Sequence, residues 1–337
     1  MNEAQPLDLA GRLAALAGEA RPQSAELLAG GKNNRVWRVR LADGGDAILK
    51  QYYSDPRDPR DRLGAEWNFL TYAKAHGVAN VPAPLACDRA SHAGLYEFVA
   101  GRRLRPGEVD ARAVAAASDF IVAINAPPRE PLSLAPGSEA CFSVTDHLAT
   151  VGRRVARLAE LDTSAPHAGE AAELVSANLA PMWEIVRARI LTEAASVGID
   201  VGNAIAPVCV SPSDFGFHNA LAGNGGAITF IDFEYAGHDD PAKLVCDFFC
   251  QPEVPVAIDH FEPFLAALGA PLELAEADLW RCRALLAAYR IKWVCIILNE
   301  FLDVGASRRA FADTSDRAER AARQIERARR HLALVLP

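Results

Sequence analysis

The period of the apolar positions changes repeatedly along the first hundred residues. Residues 7–20 carry leucine and alanine at helical spacing and predict a short amphipathic helix. In "RVWRVRL" the apolar residues alternate with polar ones, Val36, Val39 and Leu41 among them. Turn signals flank that run: Gly30-Gly31 and Asn33-Asn34 on one side, Asp43-Gly44-Gly45-Asp46 on the other. The stretch "AELLAGGKNNRVWRVRLADGGDAILKQYY" therefore predicts a three-stranded antiparallel meander. "RDRLGAEWNFLTYAKAHGV" returns to helical spacing and stops at Gly77. "VPAPLACDRASHAGLYEFVAG" reads as strand again. After Gly101 the pattern is mainly helical.

The exception lies at residues 211–244, "SPSDFGFHNALAGNGGAITFIDFEYAGHDDPAKL". Two short apolar runs, "NALA" and "AITFID", are joined by "GNGG", whose glycines are free to take positive φ. A turn centred on Asn224-Gly225 brings Asp232 opposite Phe217 and His218, with Asn219 a near neighbour. Asp214, in the loop before the first strand, falls at the same end of the hairpin. After it, "GHDDPAKLVCDFF" predicts a helix with Asp240 as N-cap and Pro241 in the first turn. Further on, "ALLAAYRIKWVCIILNEFL" is the most apolar helix; Arg290, Lys292 and Glu300 interrupt it, so it reads as a buried core helix rather than a membrane span. The last segment, "SDRAERAARQIERARRHLALVL", is an amphipathic helix of mixed charge. "NAPPREPLSLAPGSEACF" is a loop or lid.

Composition narrows the function. Half of the 337 residues are apolar, enough for a large core and room for two lobes. With 35 basic and 43 acidic residues the net charge is −8, a poor field for nucleic acid, so no nucleic-acid partner is expected. The amino end is acidic and broken by Pro6, unlike a secretory leader. Seven scattered cysteines without a C-x-x-C read as reduced thiols of a cytoplasmic protein. Cys246 and Cys250 share a helical face, but zinc would need two more ligands.

Asp214, Asn219 and Asp232 bring three oxygen-bearing side chains together, a donor set suited to magnesium shared with phosphate. Each alone is an ordinary turn or strand-end residue. Together, as D-x-x-x-x-N followed by "FIDFEYAG-x-x-DP", they resemble the catalytic core of the aminoglycoside phosphotransferase and choline kinase-like family of small-molecule kinases. The family pattern is H-G-D-x-x-x-x-N, a hairpin, then I-D-F/W. Here Pro212 and Ser213 stand where that pattern has His-Gly. The replaced histidine is mainly a scaffold for the loop, and His218, on the other side of Asp214, reads as a packing or substrate-edge residue.

The resemblance spans about residues 24 to 300 and implies an α+β, protein kinase-like two-lobe fold. It gives a small antiparallel-sheet N-lobe with one helix over 1–96, a hinge over 97–101, and a larger, mainly helical C-lobe over 102–337. It implies Asp214 as the catalytic residue that orients the acceptor hydroxyl and takes its proton, with Asn219 and Asp232 as magnesium ligands. Lys50 takes the place of the phosphate-binding lysine and Glu66 that of its partner. "LAGGKNNRVWRV" resembles the nucleotide-positioning loop, with Gly30, Gly31, Asn33 and Asn34. Backbone groups of Glu97, Phe98 and Val99 are placed to take adenine. Glu234, Tyr235, Arg290 and Glu300 are candidates for the acceptor side, and Asp247 is structural.

The reading is an ATP- and Mg2+-dependent kinase acting on a small-molecule hydroxyl, of sugar or amino-alcohol type, as monomer or homodimer with no membrane partner. A low aromatic content of 7% does not favour a quaternary ammonium box. Two other readings stay open: a nucleotide-binding pseudokinase, to which Pro212 points, and a kinase acting on protein.

Overall fold

The computed structural model describes residues 4–28, 34–54, 58, 60–126, 134–206, 208–302 and 316–336. They divide into two units, Met1–Ser138 with Val210–His238 and Glu139–Cys209 with Asp239–Pro337.

The first unit begins with helix α1 (Ala4–Ala17) and strands β1 (Pro22–Leu27), β2 (Arg35–Leu41) and β3 (Asp46–Gln51). Helix α2 (Arg62–Ala75) and strands β4 (Pro84–Asp88) and β5 (Ala93–Glu97) follow. The sheet is antiparallel throughout, in the order β1-β2-β3-β5-β4. The expected meander is its first three strands. Leu9 and Leu13 of α1 bury themselves against Trp37, Val39, Leu49 and Leu95, so α1 covers one face of the sheet. Each such leucine contributes about 2 kcal/mol of burial. Helix α2 starts at an Asp61 cap, whose carboxylate accepts from the Gly64 N–H at 2.8 Å. It closes just before Gly77, which takes the left-handed φ of +72° that ends a helix.

The rest of this unit carries strand β6 (Arg102–Arg103), helix α3 (Ala111–Ile124), β7 (Cys209–Ser211), β8 (Ala220–Ala222), β9 (Ile228–Phe230) and β10 (Gly237–Asp239). β7 and β10 each run across the border between the units. β6, β8 and β9 form a small sheet. The β8–β9 register pairs Ala220 with Phe230 and Ala222 with Ile228, which centres the hairpin on Gly225 at φ +81°. Gly101 is required next to this sheet, since a Cβ there would stand 3.0 Å from Leu221 Cβ and 3.1 Å from the Ala222 carbonyl.

The second unit is helical: α4 (Val144–Arg157), α5 (Ala168–Glu173), α6 (Ala180–Ser196), α7 (Pro241–Cys250), α8 (Phe261–Gly269), α9 (Glu276–Leu298) and α10 (Arg317–Leu332). Asp240 caps α7, its Oδ1 taking the Ala242 N–H at 2.9 Å. Helix α9 is the expected core helix, with Leu285, Ala288, Ile291, Val294 and Leu298 buried. Helix α10 turns Ala321, Ile325, Ala328 and Leu332 inward as one stripe. Among the described residues no helix is long and apolar enough to cross a membrane. All seven cysteines are free thiols, and every one except Cys87 is buried.

A buried charge network links these helices. His147 Nε2 meets Asp240 Oδ2 at 2.9 Å and its Nδ1 meets the Tyr289 hydroxyl at 2.7 Å. Arg281 donates to both oxygens of Asp240, and Lys292 to both oxygens of Asp247. Burial works against charge on His147, but the Asp240 hydrogen bond outweighs it and its pKa is pushed up to about 9. The folded chain thus holds a proton there that the unfolded chain releases near pH 6.5. The stability this supplies, about 3 kcal/mol, is complete below pH 6.5 and is lost as pH rises through 9. Urea unfolding at pH 6 and 9.5 is expected to differ less in His147→Gln than in the wild type; equal differences would discard the buried imidazolium.

Candidate active site

The backbone first explains why the polar residues of 211–234 meet. The Ile231 N–H bonds the Asn219 carbonyl at 2.9 Å, extending the hairpin by one pair and setting Asp232 across from His218. Between Asp214 and Asn219 the chain makes a single tight turn, closed by the Asn219 N–H on the Gly216 carbonyl at 3.0 Å. The Asn219 amide nitrogen donates to the Asp214 carbonyl at 3.0 Å, which turns its own Oδ1 away from that contact.

Phenylalanines pin this backbone. Phe215, Phe217, Phe230 and Phe233 alternate with the polar residues and are buried. Phe233 stacks on Phe69 of α2 with ring centres 4.4 Å apart, and Phe230 on Phe120 of α3 at 4.7 Å. Phe215 meets both Phe120 and Phe230. These rings are an aromatic cluster, but a core one, closed to any cation from solution.

Two residues of this segment take left-handed backbone without being glycine: Ser213 at φ +63° and Asp232 at φ +69°. Aspartate tolerates this region better than most residues; serine does not. Ser213 stands where the related pattern has glycine, and its hydroxyl is buried without a hydrogen-bond partner among the described residues. Ser213→Gly is expected to stabilise the chain by about 1 kcal/mol, the relief of left-handed strain less the entropy that glycine adds to the unfolded chain. An unchanged or lower urea midpoint would show the serine unstrained.

Electrostatics then single out Lys50, at the end of β3. Its ammonium donates to Glu66 Oε2 at 2.5 Å and to Asp232 Oδ1 at 2.5 Å. Glu66 Oε2 also takes the Tyr52 hydroxyl at 2.7 Å, and Tyr52 meets the Tyr96 hydroxyl at 2.7 Å. Burial opposes the charge of Lys50, but Asp232, Glu66 and Glu234 together hold its pKa well above the ordinary lysine value. Burial raises the carboxyls of Glu66 and Glu234, against the pull of Lys50. An ammonium has three N–H donors, and among the described residues Glu66 and Asp232 take two of those of Lys50.

Glu234 makes a second cluster. Its Oε2 accepts from Asn34 Nδ2 at 2.7 Å and lies 3.8 Å from Arg62 Nε. Arg62 is buried, donating to Asp58 Oδ2 at 2.6 Å and to the Tyr53 carbonyl at 3.1 Å. Arg60 and Arg62 both lie over the Tyr235 ring. Around Lys50, Arg60 and Arg62 stand four carboxylates, Asp58, Glu66, Asp232 and Glu234, and Asp58 is spent on the two arginines. Magnesium asks for oxygen donors, few from protein and the rest from phosphate and water. The Asp232 carboxylate and the Asn219 amide oxygen are the candidate donors for it.

Other residues singled out by sequence fall elsewhere. Gly30, Gly31 and Asn33 lie outside the described residues. Glu97 ends β5, where its N–H and carboxylate both bond the Ala83 backbone. Phe98 packs under the Arg38 guanidinium, and Val99 is half-buried. Arg290 and Glu300 belong to the second unit. There Arg290 donates to the Leu334 carbonyl, and Glu300 accepts from Arg320 Nε at 2.9 Å. Asp247 holds Lys292 and Trp293. Sequence reasoning missed Tyr52, Arg62 and the contact of His218 with Asp214, whose Nε2 and Oδ1 are 3.3 Å apart.

An antiparallel sheet bearing a strand lysine paired with a helix glutamate, plus an aspartate loop and hairpin, define an α+β, protein kinase-like fold, and solved structures agree. A choline/ethanolamine kinase family protein from Mesorhizobium loti is similar at a TM-score of 0.60 and 18% identity, covering 98% of this chain and 99% of that one. A spectinomycin phosphotransferase in complex with ADP and spectinomycin gives 0.61 at 14% identity, covering 97% and 98%. A macrolide 2'-phosphotransferase from Brachybacterium faecium gives 0.55 at 18%, covering 92% and 99%. Among curated proteins nothing matches the chain. Residues 24–286 match the phosphotransferase enzyme family, and the chain belongs to that family, an enzyme of the small-molecule kinase class.

Proposed function

We propose that this chain moves the γ-phosphate of ATP, with Mg2+, to a hydroxyl of a small molecule of the sugar or amino-alcohol type. The observation that carries the reading is Lys50, buried and bonded at once to Glu66 and Asp232. Strand, helix and hairpin converge on one ammonium, the arrangement phosphoryl transfer needs to hold a polyphosphate. The ADP and spectinomycin of one similar structure and the choline/ethanolamine kinase name of another support the nucleotide and the acceptor class.

In this mechanism Lys50 holds phosphate oxygens with its remaining N–H, while Glu66 and Tyr52 keep the ammonium in place. Asp232 and Asn219 would hold magnesium, which when bound neutralises phosphate charge. Asp214 receives the acceptor hydroxyl as a hydrogen bond. As the acceptor oxygen attacks the γ-phosphorus and the bond to the departing ADP oxygen breaks, the hydroxyl proton passes to the Asp214 carboxylate. Residues 1–96 are the nucleotide-binding portion and 97–101 the hinge, with Gly30, Gly31, Asn33 and Asn34 toward the phosphates and the backbone of Glu97, Phe98 and Val99 toward adenine. Glu234 and Tyr235 are assigned to the acceptor side, and the enzyme works in the cytoplasm as monomer or homodimer.

The test is ADP release from Mg-ATP across a panel of sugars and amino-alcohols. With the best acceptor, Asp214→Asn is expected to lower kcat about 10^3-fold while KM for ATP stays within about twofold. A variant that loses mainly ATP affinity would refute the catalytic role.

A further inference from the structure

The related pattern places a histidine two residues before the catalytic aspartate. This chain has Pro212 there, which offers neither donor nor acceptor in its side chain. An imidazole nevertheless reaches Asp214 from the opposite direction, as His218 Nε2 lies 3.3 Å from Asp214 Oδ1. The contact is set by the tight turn over Phe217–Asn219, whose neighbour Phe217 is fully buried and whose Asn219 is tied to both Gly216 and Asp214. His218 therefore sits on a fixed backbone, with its side chain 15% exposed against 38% for Asp214.

The two ring nitrogens are in different circumstances. Nδ1 is shut off from solvent and has no hydrogen-bond partner among the described residues. A proton on Nδ1 would be a buried donor without an acceptor, and would leave the Nε2 lone pair facing a carboxylate. The chemically consistent tautomer carries its proton on Nε2 and donates it to Oδ1. A donor on Oδ1 restrains the two side-chain torsions of Asp214, and so helps set which lone pairs face an incoming hydroxyl. Reach of a fraction of an ångström decides such proton transfers.

We propose that His218 is a positioning residue for phosphoryl transfer, orienting the Asp214 carboxylate through Nε2–H from its carboxyl-terminal side. The proposal rests on the phosphotransfer reading of Asp214, and its test separates the two.

The probe is Mg-ATP hydrolysis by the full chain with water as acceptor, measured for the wild type, His218→Ala, His218→Gln, His218→Asn and Asp214→Asn. His218→Ala is expected to lower kcat about 10- to 100-fold, with KM for ATP within about twofold. Glutamine, whose amide reaches about as far as Nε2, restores the rate to within about threefold; asparagine, shorter by one carbon, does not. A fully active His218→Ala beside a dead Asp214→Asn overturns the positioning role and keeps the phosphotransfer reading. An active Asp214→Asn overturns the phosphotransfer reading itself.

A second measurement is independent of turnover and of any folding defect in His218→Ala. Nitrogen and carbon NMR of the His218 ring is recorded in the wild type and in Asp214→Ala. The wild type is expected to hold its proton on Nε2, and the Asp214→Ala chain to lose that preference. The same ring signals in both overturn the proposal, and this pair decides it if the wild type hydrolyses no ATP.

Discussion

Asp232→Asn is expected to lower magnesium-dependent phosphotransfer by about 10^3-fold or more, a barrier increase of about 4 kcal/mol, in a chain that still folds. The backbone at position 232 is left-handed, at φ +69°, and asparagine accepts that region as well as aspartate does. The amide oxygen keeps a hydrogen bond to Lys50. Folding also loses a like charge, because Asp232 raises the carboxyls of both Glu66 and Glu234. What disappears is the anionic oxygen proposed to hold the divalent cation. Initial rates across a magnesium titration, with thermal unfolding as the control, decide the matter. A variant near the wild-type rate at ordinary magnesium would remove Asp232 from the metal site.

Lys50→Met should act on stability and on activity by separable routes. Methionine fills the space of the aliphatic stem but leaves Glu66 buried with no cation beside it. Breaking one side of a buried ion pair costs about 3–5 kcal/mol, and loss of the phosphate contact lowers turnover about 10^2- to 10^3-fold. The pH dependence has a definite sign. Burial already raises the Glu66 carboxyl, and without Lys50 the main opposition to that rise is gone, leaving the weaker pull of the Tyr52 hydrogen bond. The variant's folded state then binds a proton that the unfolded chain gives up near pH 4.3, so it regains stability as pH falls and loses it as pH rises through the raised value. Adding Glu66→Gln should return most of the stability and none of the activity. Wild-type stability of Lys50→Met at pH 7.5 would rule out the buried pair as a structural element.

Local pattern carried much of the site. The glycines of "GNGG" fixed the hairpin, and the observed register, centred on Gly225, sets Asp232 opposite His218 as a turn one half-residue earlier nearly implied. The strand alternation before Lys50 and the helical spacing around Glu66 were equally readable, because each is a short-range period. The cap at Asp240 was legible for the same reason. Contacts that join distant segments were not. Asn34 and Glu234 are 200 residues apart, and His147 and Tyr289 are 142 apart; no period in the sequence connects them. The covering of the sheet by α1 was missed because an amphipathic stripe says that a helix packs, not on what. The His218–Asp214 contact was not legible either, because it depends on a tight turn over Phe217–Asn219 that brings residues four apart together. The phenylalanines at 215, 217, 230 and 233 were visible, and their repeated adjacency to polar residues was the overlooked signal.

Those rings have a practical consequence. Because the loop is held by its apolar side chains, the polar ones can be changed without releasing it. Asp214→Asn should therefore remain a well-formed receptor that seats nucleotide and acceptor and consumes neither. Immobilised and exposed to a metabolite extract with ATP present, such a chain would retain its own acceptor for mass spectrometry, turning a crippled enzyme into an affinity reagent for its missing substrate.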